Sequence, residues 1–268
     1  MNLDTKDKLN NQLAAARSMI AKTGKSPRQL GKESRQKVIN WIYQWGYTTT
    51  NICKLLLNRT SGGYMGKLTY QKWLCETNTK SGFPSSYFTL APLGLEEAER
   101  HANSLLKYLE IDQYKVNQQK IRHDLIAQKS TLQALNSNVI VGYETEKMNF
   151  KDGDKSGKKR PDVTWITNSG LRLGIEIELS AKWDRDLDQF VLAIARALKS
   201  DGNDKPSYNR FVIISDSPAI IKRYRAAIQP DAPLSIWTKS SRGHWEIINS
   251  IKVPTWLIHK VDFQLLEG

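Results

Sequence analysis

Between Arg160 and Lys182 the chain reads RPDVTWITNSGLRLGIEIELSAK, a stretch whose three carboxylates and one lysine are spaced for divalent-metal chemistry on a phosphodiester. Leu171, Leu173, Ile175, Ile177 and Leu179 alternate with Arg172, Gly174, Glu176, Glu178 and Ser180, the period of a half-buried strand. Glu176 and Glu178 then share a face about 6 to 7 Å apart, close enough to serve one hydrated divalent ion. Asp162 opens a preceding run, DVTWIT, and Asn168-Ser169-Gly170 is a turn signal. A hairpin centred near Ser169 sets Asp162 across from Glu176, roughly 5 Å away on the same side. Three carboxylates converge in this arrangement, with Lys182 just beyond the strand end. The plainer alternative is an edge strand with a solvated acidic face.

Pro161-Asp162, then Glu176, then a lysine resembles the signature of the PD-(D/E)xK nuclease superfamily. Where the superfamily places its lysine two residues after the glutamate, this chain has Glu178, and the nearest lysine is Lys182. Either Lys182 reaches back to do that work, or a third carboxylate changes the charge balance of the site.

The elements around the motif follow the order such a core needs. A helix is expected from Val116 to about Leu135, a strand over Val139 to Tyr143, then the hairpin, a helix from Asp184 to Leu198 and a buried strand, RFVIIS. This α-β-β-β-α-β order is the restriction-endonuclease-like topology. On the first helix Ile121, Leu125, Leu132 and Leu135 form the inward stripe, and Asp124 and Gln128 fall inside it by angle. The resemblance implies that Asp124 joins the active site; a structural hydrogen bond is the equal alternative. His123 falls on another face and reads as a surface or structural histidine. The loop EKMNFKDGDKSGKKR brings Lys147, Lys151, Lys155, Lys158, Lys159 and Arg160 up to the motif. It is either a solvated charge run or a grip on a nucleic-acid backbone. Residues 218–268 add a helix, Pro218 to Ile228, and strand-like runs near Leu234 to Trp237 and Trp245 to Ile248, with no evident role.

The first half reads differently. Residues 1–30 are polar and basic, with a short helical run around Leu13 to Ile20, and are expected to form a flexible arm. Residues 31–115 show a helix from Glu33 to Trp45 stopped by Gly46, and a short helix after Thr50 with Ile52, Leu55 and Leu56 inward. A third helical run contains Met65, Leu68, Trp73 and Leu74. A strand over Tyr87 to Leu90 and a helix burying Leu95, Ala98, Leu105 and Leu106 follow. The phrase YFTLAPLGLEEA resembles the strand-to-helix ending of bacterial winged-helix domains. The resemblance implies that the third helix enters the major groove, with Lys67, Tyr70, Gln71 and Lys72 as DNA contacts or else as ordinary solvated residues. Trp41, Trp45 and Trp73 read as core. The expected fold is thus mixed α/β, a winged helix-turn-helix followed by the nuclease-like core over residues 116–268.

Composition narrows the partners. Forty Lys and Arg against 27 Asp and Glu give a net charge of +13 and an isoelectric point near 9.6, which favours a polyanion. No apolar run reaches the roughly 20 residues of a membrane span, and the polar start is not a signal peptide. Two cysteines are too few for a disulfide framework or a zinc cluster. A cytoplasmic nucleic-acid binder without membrane insertion is the economical reading.

Together, a winged-helix pattern, IRHDLIAQ, RPDVTW and IEIELSAK resemble the MOBC family of bacterial plasmid mobilization relaxases over roughly residues 33 to 215. The resemblance implies binding to a plasmid transfer origin, as duplex and nicked single strand, and Mg²⁺- or Mn²⁺-dependent nicking of one strand. It further implies work with an accessory relaxosome protein and a coupling ATPase. Asp162, Glu176 and Glu178 would then hold the metal, and Lys182 would stabilise the reacting phosphate. A restriction- or repair-type endonuclease and a nuclease-inactive regulator of replication or transcription are the alternatives. His101, His123, His244 and His259 form no three-histidine motif, and no tyrosine neighbours the carboxylates in sequence, so free ends are expected without a covalent tyrosyl link.

Overall fold

The computed structural model describes residues 3–148, 158–200 and 206–266. Lys151 and Lys155 of the basic loop lie outside the described residues. The chain is mixed α/β and divides into two compact units, Met1–Val116 and Asn117–Gly268.

In the first unit, the segment read as a flexible arm is helix α1 (Leu3–Thr23), followed by α2 (Pro27–Trp45). The difference has a local cause. No Gly or Pro occurs before Gly24, and Leu, Lys, Gln and the Ala14-Ala15-Ala16 run are good helix formers. Helix α2 starts earlier than Glu33 because Ser26 and Gln29 form a capping box with Pro27 at the first helical position. Helices α3 (Thr50–Leu57) and α4 (Gly63–Tyr70) follow, then a hairpin of β1 (Leu74–Asn78) and β2 (Ser86–Leu90), then α5 (Pro92–His101). Leu74 and Trp73 lie beyond α4, not within it, because the chain turns at Lys72 with φ 61°. Val38, Ile42, Cys53, Met65, Leu68, Leu74 and Phe88 close one core, with Trp73 against it, and Trp41 and Trp45 are buried. Leu55 and Leu105 are exposed, against expectation. Leu105 lies past the end of α5, where helical periodicity no longer fixes its direction.

The second unit carries α6 (Ile121–Asn136), β3 (Ile140–Thr145), β4 (Val163–Thr167), β5 (Arg172–Ile177), α7 (Asp184–Leu198), β6 (Arg210–Ser215), α8 (Pro218–Ala227), a separate hairpin of β7 (Pro233–Lys239) and β8 (Trp245–Lys252), and β9 (Val261–Leu265). One sheet runs β3-β4-β5-β6-β9, antiparallel through β5 and parallel beyond it. The α-β-β-β-α-β order is as read from sequence; β9, where Val261, Phe263 and Leu265 alternate with Asp262 and Gln264, was not anticipated. Gly170, at φ 79°, allows the tight β4–β5 turn. Strand β5 is central, not an edge, and is buried on both faces from Gly174 to Ile177. Gly174 makes room for this: a Cβ there would sit 2.6 Å from the Phe211 ring, an overpacking of the kind that costs about 1–3 kcal/mol. Phe190, Val191, Ile194, Leu198, Phe211 and Ile213 form the core between α7 and the sheet. Among the described residues no helix is long and apolar enough to cross a membrane.

Candidate functional site

Register decides which side chains meet. Val163 pairs with Ile175, so Asp162 stands opposite Glu176, and its backbone N–H donates to the Ile175 carbonyl at 3.0 Å. The Asp162 carboxylate then folds over the end of β5 and accepts the Ile177 N–H through Oδ2 at 2.8 Å. Glu176, in the central strand, is 2 % exposed, and Glu178, just past its end, 4 %, so that an acid without compensation would be costly at either place. Each receives it. The Lys159 ammonium lies 2.7 Å from Glu176 Oε2, while Glu178 bonds Lys182 through Oε1 and accepts the Tyr224 hydroxyl through Oε2 at 2.8 Å.

The three carboxylates and two lysines line a pocket of about 430 Å³, with Arg122, His123 and Ser180 among its other walls. Lys159 reaches it because its backbone N–H is tied to the Ala193 carbonyl of α7 at 3.0 Å. Phe190 lies beneath both ammonium groups, 5.5 Å from Lys159 Nζ and 4.8 Å from Lys182 Nζ, and its ring meets Tyr224 edge-on at 5.2 Å.

His123 is in the site, contrary to the sequence reading. Its Nε2 donates to Asp162 Oδ2 at 3.1 Å and its Nδ1 to Asp124 Oδ1 at 2.8 Å. The helical angle was right about the Cα, but a histidine at the first turn of α6 can swing its ring across to β4. Asp124 accordingly stands behind His123 and does not line the pocket. Burial alone would lower the His123 pKa; the bonds to Asp124 and Asp162 outweigh it and raise it to about 10, so the ring is an imidazolium at neutral pH. For Asp162, burial would raise the pKa, but His123, the Ile177 N–H and Lys159 together hold it below the usual carboxylate range. Glu176 goes the other way. Burial first, then the Asp162 charge, push it well above its ordinary value despite Lys159. Lys159, whose charge burial opposes, is raised by Glu176.

Two assignments shift as a result. Lys159, read as a DNA-backbone contact, is half-buried with its ammonium against Glu176, the position expected of Lys182, while Lys182 is tied to Glu178. Glu178, read as a metal ligand, has both oxygens engaged by protein donors. Of its loop neighbours, Lys158 is half-buried and Arg160 exposed. Tyr224, buried on α8, was invisible in sequence because nothing local links residue 224 to residue 178; His123 was signalled only by its adjacency to Asp124.

Among the described residues no three His, Cys, Asp or Glu side chains form a ready metal cage. A Mg²⁺ site asks for less: one or two carboxylates, water and substrate phosphate oxygens. Asp162 and Glu176 meet that requirement, and Glu176 supplies a specific sign of fit. Its Oε1 is buried with no hydrogen-bond partner, in a side chain that lines the pocket. A buried carboxylate oxygen left unpaired wants a cation or a donor.

The first unit holds a concavity of opposite character. Arg28, Lys32, Arg35, Lys67, Tyr64 and Gln71 line a space of about 680 Å³ between α2 and α4. No acid lines it, and the sequence has no Asp or Glu from Ser34 to Cys75. The one acid of α2, Glu33, is occupied by Lys25 at 2.7 Å. Arg35 is steadied by the Trp73 ring, 4.4 Å from its guanidinium, while its Nε is buried without a hydrogen-bond partner. Lys67, Tyr70, Gln71 and Lys72 are all exposed, Tyr70 by 89 %.

Comparison with known proteins gives no match to a protein family, to a curated protein or to a solved structure.

Proposed function

We propose that this chain is a divalent-metal-dependent DNA endonuclease that cuts one strand, with the first unit acting as a winged-helix duplex-binding module and the second as a restriction-endonuclease-like catalytic core. The observation that carries the reading is the Asp162–Glu176 pair across the hairpin, with an unpartnered buried carboxylate oxygen and Lys159 beside it. Helices followed by a β-hairpin in the first unit, and the α-β-β-β-α-β order in the second, support the two fold assignments.

Asp162 and Glu176 would hold Mg²⁺ or Mn²⁺. Bound there, the ion supplies Lewis-acid charge to the phosphodiester. The chain's own residues do the rest. Lys159 places a positive charge where charge builds on the reacting phosphate, His123 and the Ile177 N–H fix the Asp162 carboxylate, and Glu178 with Tyr224 locks Lys182. The biological role that fits the resemblance is a MOBC-type plasmid mobilization relaxase in the bacterial cytoplasm, recognising a transfer origin with an accessory protein and a coupling ATPase.

A second reading, a nuclease-like DNA-binding regulator, is favoured by the pairing of every site carboxylate with a cation. Supercoiled plasmid with and without the cognate transfer origin, incubated with Mg²⁺ or Mn²⁺, separates the readings. Origin-dependent relaxation is expected. Indiscriminate cutting would mean a general endonuclease, and binding without cutting a regulator.

A further inference from the structure

Beside the carboxylate pocket, a second groove of about 700 Å³ runs between α7 and α8, and the charge pairing described above does not account for it. Trp183 is its most unusual wall. The residue follows Lys182 directly, caps the start of α7 and is 60 % exposed, although α7 itself packs its large apolar side chains inward. One face of the indole is covered: the Arg223 guanidinium carbon lies 3.1 Å from the ring centroid. Arg223 also reaches the Lys182 carbonyl through Nη1 at 3.5 Å, so the stack is fixed to the backbone of the residue that lines the carboxylate pocket. With one face against Arg223 and the side chain still mostly in solvent, the other face is open.

The rest of the groove says what could lie there. Its lining is largely apolar, with Val191 and Ile220 buried and Ala219, Ala226 and Pro233 exposed, and Lys222 and Arg223 supply cations to it. The one acid among its lining residues, Asp188, accepts the Trp237 indole N–H at 2.8 Å. A flat aromatic ligand carrying negative charge satisfies all three features. A lipid chain would leave the cations without purpose, and a purely apolar peptide would leave them desolvated and unpaired. A nucleotide does neither, because every base has a π-face for the indole and a phosphate for the cations.

We propose that this groove receives an unstacked nucleobase, held on Trp183, from the strand whose phosphate occupies the neighbouring carboxylate pocket. The inference rests on the proposed cleavage function and adds a substrate property to it: the strand is single, or opened, next to the cut. A base can reach the Trp183 face only after leaving its duplex neighbours.

The test is equilibrium binding by the full-length chain in EDTA, so that no cutting occurs, read by anisotropy of labelled single-stranded and duplex oligonucleotides. Trp183→Ala should weaken single-strand binding by about 5- to 150-fold, the size of one base–aromatic stack, and leave duplex binding unchanged. Trp183→Phe should keep most of the affinity, and one abasic position in the oligonucleotide should reproduce the Trp183→Ala loss without adding to it. Single-strand binding by Trp183→Ala equal to that of wild type overturns the platform and leaves the cleavage reading standing. Failure of the wild type to bind either nucleic acid overturns the cleavage reading, and the platform with it. Equal loss for single strand and duplex also overturns the platform, since it marks a general phosphate contact.

Discussion

The two units treat charge in opposite ways. In the concavity of the first, Arg28, Lys32, Arg35 and Lys67 face one space with no acid among the lining residues. In the pocket of the second, every carboxylate has its own cation: His123 for Asp162, Lys159 for Glu176, Lys182 for Glu178. Like charges gathered without compensation oppose folding and gain their value only when a polyanion arrives. Paired charges in a buried pocket do the reverse, since they fix geometry in advance and bind little by themselves. On the proposed function, the first is a surface for attachment and the second one for chemistry. Substitutions in the two regions should therefore fail in different assays.

The largest effect is expected at the carboxylate pair. Asp162→Asn and Glu176→Gln should each reduce strand cleavage by more than about 100-fold, the loss typical of even an outer partner of a metal ligand, while duplex affinity stays within about twofold of wild type, since neither group contacts phosphate in the ground state. Nicking of supercoiled plasmid, paired with a gel-shift titration, reads both quantities. Wild-type nicking by either variant would remove the division between attachment and chemistry.

Next in size is the contrast between the two lysines. Lys159→Ala should lower the cleavage rate by about 100- to 1,000-fold, as removal of one preorganised charge at a reacting group does. Lys182→Ala should cost less, because Tyr224 still holds Glu178. Single-turnover rates at saturating Mg²⁺ rank the two. The reverse order would return the superfamily lysine's role to Lys182. Neither variant should reveal a tyrosyl link in end-labelled DNA after detergent denaturation, since Tyr224, the tyrosine hydrogen-bonded to Glu178, is buried and its hydroxyl is pushed up by burial and by Glu178.

The lysine exchange also shows what sequence carries and what it loses. The Asp162–Glu176 pairing was legible because a turn signal and a period of two fix register, and register fixes which side chains face each other. The α7 helix was legible from an apolar stripe of helical period, and β6 from a short continuous apolar run. Lys159 was not: in sequence it is one of a basic run, and only its anchor to Ala193 of α7 turns it into the site. Tyr224 belongs to α8, far along the chain, and no periodicity reports a contact between elements. Alternation alone left open whether the face carrying Glu176 and Glu178 is solvated. It is buried, and Lys159 and Lys182 meet it, which a single strand's pattern cannot show.

A smaller and different response is expected from the basic concavity. Replacing Lys32 and Lys67 with Gln should weaken duplex binding and lower the slope of log affinity against log salt by roughly one unit for each phosphate that is no longer neutralised. Cleavage at saturating DNA should not change, since neither residue lies in the second unit. A duplex affinity insensitive to both changes would show that the uncompensated charge serves some other anion. Gln71→Ala should instead alter which sequence is preferred, with little effect on the salt slope, because an amide reads base edges and does not neutralise phosphate.

The smallest effect is on stability, and its direction with pH tests whether the second unit is preorganised as described. The His123 pKa is raised from 6.5 to about 10 in the folded chain. The stabilisation from its two carboxylate bonds is therefore fully present below about pH 6.5, where the ring is charged folded or unfolded. It is lost as pH rises through about 10. Asp162 acts at the opposite end: its lowered pKa means that its contribution is present above its ordinary value of 3.8 and lost as pH falls through the lowered one. Between about pH 5 and 10 only the histidine of this pair changes. The difference in thermal midpoint between wild type and His123→Asn, followed by a probe of the second unit, should thus be greatest near about pH 5 to 6 and shrink steadily towards about pH 10. A difference that stayed flat across this window would mean that folding does not raise the His123 pKa, and one that grew with pH up to about 6.5 would mean that the ring is neutral in the fold. Asp162 would then lack the cation that keeps it ionised, and the pocket would no longer contrast with the basic concavity as a region of charges paired in advance.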